Sequence, residues 1–167
     1  MHFEDIFNWQ LKLDLGLISV ADVQQWAQDA LLNDINVAMA LDICFLKNEK
    51  EVLMYIDHLL QTSEEPDKKS FRQAVALQIL KEYFDNHLPK ILDDQLDIHM
   101  VKLKSIAFEL YDLCQIESEV ALEIYLVIFD DQINLATKGN ADMTPQMAYD
   151  ALYQYLEEWI AVHCIKV

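Results

Sequence analysis

Apolar residues recur along most of this chain at intervals of three and four, the spacing of one face of a helix. The most apolar run is Val120 to Phe129, broken only by Glu123. It belongs to a longer stretch, Ser118 to Gly139. At 100° per residue this leaves one polar strip of Glu119, Glu123, Asp130 and Asn134, with Asp131 and Lys138 at its edge. A helix so nearly apolar all round is predicted to sit centrally, with other helices covering most of its surface. Its polar strip then faces solvent or a partner. The run is also rich enough in β-branched and aromatic residues to suit a buried strand. No second such run exists to pair with it, and no Gly or Pro bounds it before Gly139.

The other segments carry helical start and stop signals. Residues 2–15 read as a first helix with Phe3, Ile6, Phe7 and Leu11 on one side, stopped at Gly16 by a left-handed cap. Ser19 opens a second helix. Asp22 nearly completes a capping box, and Ile18 and Val23 are spaced as a hydrophobic staple. Val20, Val23, Ala27, Ala30 and Leu31 form its inward stripe, bordered by Trp26. A third helix, from Asn33 or Asp34 to about Leu46, is expected to turn Val37, Leu41, Cys44 and Phe45 inward. A fourth, capped by Asn48 with Glu51, reaches about Gln61.

The polar stretch TSEEPDKKS at 62–70, with Pro66, predicts the longest exposed loop. Ser70-x-x-Gln73 has the form of a capping box for a fifth helix over about 71–86, burying Val75, Ile79 and Tyr83. Pro89 begins a sixth segment, whose helix is expected to be capped by Asp94 and to carry Leu96, Val101, Leu103, Ile106, Leu110 and Leu113. After the central helix, Thr144-Pro145 supplies a capping hydroxyl and then Pro at the first helical position. That last helix runs to about His163, with Ala148, Tyr149, Leu152, Tyr153, Leu156, Trp159, Ile160 and His163 in its apolar arc. The expectation is an all-α fold of about seven helices in an antiparallel bundle or irregular array. Residues 1–167 form a single domain on this reading, since either half alone is a meagre core.

Composition supports helices. The chain has 2 Gly and 3 Pro, too few for the many tight turns of a sandwich or barrel. Charge alters the picture more. There are 29 acids against 12 bases, for a net charge of −17. A nucleic-acid backbone requires a basic footprint, so direct binding to one is disfavoured. An acidic surface attracts basic partners and speeds their encounter, though it also serves solubility alone. From Ser105 to Ile165 eleven acids stand against one base, Lys138. Glu119 and Glu123 form a like-charge i,i+4 pair, which is mildly destabilising on a helix. The candidate partner-binding residues are therefore Glu119, Glu123 and Asp130, with Asp131, Glu157 and Glu158 from neighbouring surface. The acidic loop Glu64–Asp67 and the cluster Asp93, Asp94 and Asp97 come next.

Candidate chemistry is sparse. None of the five His has a carboxylate three residues before it, and no His-Glu-x-x-His occurs. His163 lies on the apolar arc and reads as a core histidine bonded to a neighbour. Ser19, Ser70, Ser118 and Thr144 fall at expected helix starts, where capping accounts for them. No Gly-rich loop is present to cradle phosphate. Three Cys without CxxC spacing read as buried reduced thiols. No catalytic residue, metal or cofactor is predicted. The N-terminal MHFEDIFNWQ lacks the features of a signal peptide, and no run reaches the length of a membrane span. A cytoplasmic protein is expected.

The segment Leu15-Gly16-Leu17-Ile18-Ser19, followed by Val23 and Trp26-Ala27 and preceded by Trp9, is similar to the start of helical bacterial immunity families. The similarity covers the first fifth of the chain and brings no site residues with it. It implies an inhibitor of a toxin delivered by contact-dependent or type VI secretion and acting in the cytoplasm. A basic toxin domain, such as a nuclease, suits the charge. Two other classes fit the same character. One is a nucleic-acid-mimicking phage inhibitor of a host defence complex, and the other is a helical scaffold or regulatory subunit.

Overall fold

The described residues form eight helices: α1 (Phe3–Asp14), α2 (Val20–Leu32), α3 (Val37–Phe45), α4 (Glu49–Thr62), α5 (Lys68–Asn86), α6 (Leu96–Cys114), α7 (Glu117–Thr137) and α8 (Pro145–His163). This computed structural model describes the backbone of residues 3–62, 68–114, 117–140 and 142–164, and side chains over 5–62, 70–110, 122–140 and 142–164. No strand occurs among the described residues, and Val120–Phe129 is helical. The helix count is eight rather than about seven. α3 begins at Val37 and not at Asn33 or Asp34, because Asp34 and Asn36 both take left-handed φ, +55° and +47°, which no helix can run through. The chain divides into two units, Met1–Phe71 and Arg72–Val167.

In the first unit α2 packs on α3 and α1 on α4. Its core joins Ile6, Val23, Ala27, Ala30, Ala40, Ile43, Val52 and Ile56. The three alanines at the α2–α3 contact let the two backbones approach closely. Ser19 completes a capping box: its hydroxyl accepts from Asp22 N at 3.3 Å and the Asp22 carboxylate accepts from Ser19 N at 2.7 Å. Gly16, at φ +62°, closes α1. Gly16 N bonds Leu13 O and Leu17 N bonds Lys12 O, which satisfies two carbonyls of the last turn. The same pair of bonds ends α2, from Asp34 N to Leu31 O and Ile35 N to Ala30 O, with Asp34 in the place of the glycine. Trp9 and Trp26 meet edge to face at 4.5 Å.

Several expectations change here. The inward side of α3 is Ala40 and Ile43, while Val37, Leu41 and Phe45 are exposed. The helix is so apolar that its pattern does not distinguish one face from the other, and packing on α2 selects the face with the small residue. The loop at 62–70 is shorter than predicted, since Thr62 and residues 68–70 are helical and 63–67 lie outside the described residues. Ser70 therefore sits in the first turn of α5 instead of ahead of it. Lys68 and Lys69 are good helix formers and extend the helix backwards.

In the second unit α6 packs on α7 and α7 on α8. α5 meets α6 through Tyr83 and His99, and α8 through Phe84 and Tyr153, whose rings are 4.6 Å apart. The helix buried round most of its girth is α5, not α7. Val75, Ala76, Leu77, Ile79, Leu80, Tyr83 and Phe84 are all buried, an arc of roughly 200° at 100° per residue. α7 buries only Leu122, Leu126, Ile133 and Ala136 among its described side chains. Gly139 at φ +72° closes α7 through the same bond pair, Gly139 N to Ala136 O and Asn140 N to Leu135 O. Thr144 caps α8 by accepting from Met147 N at 3.2 Å. The first helical bonds of α6 come from the Gln95 carbonyl, and Asp93 rather than Asp94 holds that turn by accepting from Gln95 N at 2.9 Å. Val101, predicted inward, is 64 % exposed, and Met100 and Ala107 take the core positions beside Leu103, Ile106 and Leu110.

Candidate functional site

The acidic strip expected on α7 is not an open row of carboxylates. Asp130 is half-buried and pairs with Lys104 of α6, and Asn134 Nδ2 donates to its other oxygen at 3.4 Å. Glu123, two turns before Asp130 on the same side, is half-buried. The side chain of Glu119 lies outside the described residues. Asp130 faces towards α6, which supplies the cation paired with it.

The outward line of α7 is instead Ile124, Ile128, Asp131 and Leu135. These positions, spaced i, i+4, i+7 and i+11, fall within about 60° of one another on a helix. Ile124 is 51 % exposed, and Tyr125, Val127, Ile128 and Leu135 are exposed beside it. Asp131 is the exposed acid on this line. On α8, Glu157 and Glu158 are both exposed, and Glu158 accepts from Gln154 Nε2 at 2.9 Å. Neither α7 nor α8 contains a Lys or Arg. Tyr155 joins the two helices, 4.7 Å from the ring of Tyr125 and 5.5 Å from that of Phe129. Of the six predicted contact residues, Asp131, Glu157 and Glu158 are thus exposed, whereas Glu123 and Asp130 are drawn inwards.

The apolar half of this surface escaped the sequence reading because exposed and buried Ile look alike in a helix that is apolar all round. The sequence does hold one clue to the inward turn of Asp130. Lys104 lies in the preceding helix, with Val101 and Ser105 about it, and is one of the two cations of α6, with Lys102, that could meet a carboxylate of α7. A shallow groove of about 460 Å³ runs beside it, lined by Val101, Lys104, Ser105, Phe108 and Glu109. Arg72 of α5 pairs with Glu109 at 3.5 Å. Both charged groups at the groove are therefore already committed to partners.

A second polar cluster ties the α5–α6 connection down. Tyr83 Oη lies 2.6 Å from His99 Nδ1, His87 stacks on Tyr83, and Tyr149 Oη donates to Pro89 O at 2.6 Å. Leu92 N donates to Gln146 Oε1 at 3.0 Å. Burial, with the Asp93 charge nearby, pushes the Tyr83 phenol up to about 12. Tyr149 is raised by burial also, with Asp93 next in effect. Burial holds His99 below the usual histidine range. These hydrogen bonds hold the α5–α6 connection in place. Asp93, Asp94 and Asp97 are all exposed around this connection. The acidic loop Glu64–Asp67 lies outside the described residues.

His163 Nδ1 donates to Trp159 O at 2.8 Å and its ring stacks on the indole at 4.0 Å. Cys44 and Cys164 are free thiols, both half-buried, and burial raises the Cys164 pKa. Cys114 is outside the described side chains. Among the described residues no cluster of three or more His, Cys, Asp or Glu is arranged to hold a metal ion. No described helix is long and apolar enough to cross a membrane. No family model matches this chain, and neither a curated protein nor a solved structure matches it.

Proposed function

We propose that this protein is a binding protein that neutralises a bacterial toxin, and that it does so by docking the outward face of α7 on a basic toxin domain. The observation that supports the reading is the line Ile124, Ile128, Asp131 and Leu135, an exposed apolar stripe with acids and no base on its own helix or on α8. Protein interfaces draw most of their affinity from a few apolar anchors and their encounter rate from complementary charge. Ile128 and Leu135 suit the first task, and Asp131, Glu157 and Glu158 the second. Glu123 adds to the negative field without direct contact, whereas the charge of Asp130 is offset by Lys104. Under this reading the protein works in the cytoplasm, takes no cofactor and catalyses nothing, and α5–α8 close as an antiparallel bundle.

The reading expects a secreted toxin to be encoded directly upstream of this chain, and the test pairs the chain with the toxic domain of such a neighbour. Growth rescue on co-expression, with an association rate that falls as salt rises, supports the reading. The triple change Ile128→Glu/Asp131→Lys/Leu135→Glu is expected to abolish rescue and to leave the melting temperature within a few degrees of the wild type. Rescue that survives the triple change removes the interface from α7. Absence of both rescue and association for the wild-type chain overturns the function itself.

A further inference from the structure

The first unit carries an apolar face of its own. Five residues of α3 are exposed, namely Val37, Ala38, Leu41, Asp42 and Phe45, and only Asp42 is polar. Val37, Leu41 and Phe45 are spaced i, i+4 and i+8, a ridge of ~12 Å along the helix. Phe45 is 76 % exposed, and Leu32, at the end of α2 just before the turn, is 83 % exposed. These are the largest exposures among the large apolar side chains that the structure describes. Large contiguous apolar faces of this kind mark interaction surfaces.

What rims the ridge decides what it fits. Asp42 lies at one side of the arc and is held there by Tyr55 Oη, which donates to it at 2.8 Å. Asp34 stands at the turn, in the left-handed conformation that ends α2. Asp29 is exposed one turn back on α2, and no Lys or Arg occurs between Lys12 and Lys47. A second copy of the chain is a poor occupant, because the exposed acids Asp29, Asp34 and Asp42 that each copy brings outnumber Lys47, the one base that follows the ridge closely in the chain. An anionic lipid surface is repelled for the same reason. We infer that the α3 ridge is a docking surface for a basic, amphipathic helical segment of a partner protein. The segment's apolar residues, at i, i+3 or i+4 and i+7, lie against Leu41 and Phe45, and its Lys or Arg reach Asp34 and Asp42. This surface rests on residues of the first unit alone and stands independently of the α7 reading.

The test presents the full chain to a displayed library of short helical peptides with randomised faces. The peptides recovered are expected to combine Lys or Arg with Leu, Ile or Phe at helical spacing. Fluorescence anisotropy then measures the strongest of them against four chains. Affinity is expected to fall at least about tenfold in Leu41→Ser/Phe45→Ser, the loss of ordinary hot-spot anchors. In Asp34→Asn/Asp42→Asn the decline of affinity with salt is expected to flatten, since both Asn residues keep the turn and the Tyr55 bond but lose the charge. Ile128→Ser/Leu135→Ser on α7 is expected to bind as the wild type does. Failure to recover a basic amphipathic peptide overturns the inference. So does a basic peptide indifferent to Leu41 and Phe45, or a concentration-dependent dimer of the wild-type chain that Leu41→Ser/Phe45→Ser abolishes. A melting curve for each variant confirms that lost binding is not lost folding.

Discussion

Tyr83 and His99 join α5 to α6 through a single hydrogen bond, 2.6 Å between the phenol oxygen and Nδ1. The raised Tyr83 pKa keeps the phenol protonated through the neutral range, so Tyr83 donates and His99 accepts with its unprotonated nitrogen. Protonation of His99 removes that acceptor. Burial, the main cause, holds the His99 pKa below 6.5 despite the Asp93 charge, while Lys102 and His87 act in the same direction as burial.

Stability should therefore depend on pH through this residue, with a definite sign. As pH falls below 6.5 the unfolded chain takes the proton first, so unfolding is favoured. The contribution is complete above the unfolded pKa and is lost as pH falls through the folded one. Urea midpoints between about pH 5 and about pH 8 are expected to fall towards acid more steeply for the wild type than for His99→Asn, which keeps an acceptor without titrating. Parallel curves would show that His99 does not sense pH.

Trp159 is 6 % exposed, inside the apolar arc of α8 and stacked on His163. Trp159→Ala should destabilise by about 3–5 kcal/mol, the usual cost of truncating a large buried aromatic. Chemical denaturation measures it. A loss below about 1 kcal/mol would show that the stack closes over the gap or contributes little.

Ser19→Ala removes one half of the capping box and leaves Asp22 N without the hydroxyl that accepts from it. The expected cost is about 1 kcal/mol. Ser19→Asp should recover little of it, because the new carboxylate stands close to Asp22. Recovery in Ser19→Asn, which keeps a capping acceptor without adding charge, separates the cap from any change in helix propensity in thermal melts.

Within α3 two neighbours should respond in opposite ways. Ile43 is fully buried, and Ile43→Ala is expected to cost about 2–5 kcal/mol. Phe45, although larger, is mostly exposed, and Phe45→Ser should stay within about 0.5 kcal/mol of the wild type. Equal losses would mean that Phe45 is covered in solution.

Local signals in this chain were legible because local chemistry decides them. Ser19 with Asp22, Thr144 with Pro145, and the two glycines at 16 and 139 place helix ends whatever the rest of the chain does, since the bonds involved span only a few residues. The all-helical character followed from spacing alone, as did the inward stripes of α1 and α8, where polar residues mark the other face. Spacing failed where a helix is apolar on every side. In α3 and α7 it could not say which side is covered, because that depends on which helix packs there and how closely. Ala40 and Ile43 win in α3 because α2 approaches through Ala27 and Ala30. In α7 the packing of α6 and α8 leaves Ile124, Ile128 and Leu135 outside, and Lys104 draws Asp130 out of the strip it seemed to lead. The acidity of the surface was set by composition. Which acids stand exposed beside apolar residues, and so could meet a partner, was set by tertiary contacts between residues far apart in the chain.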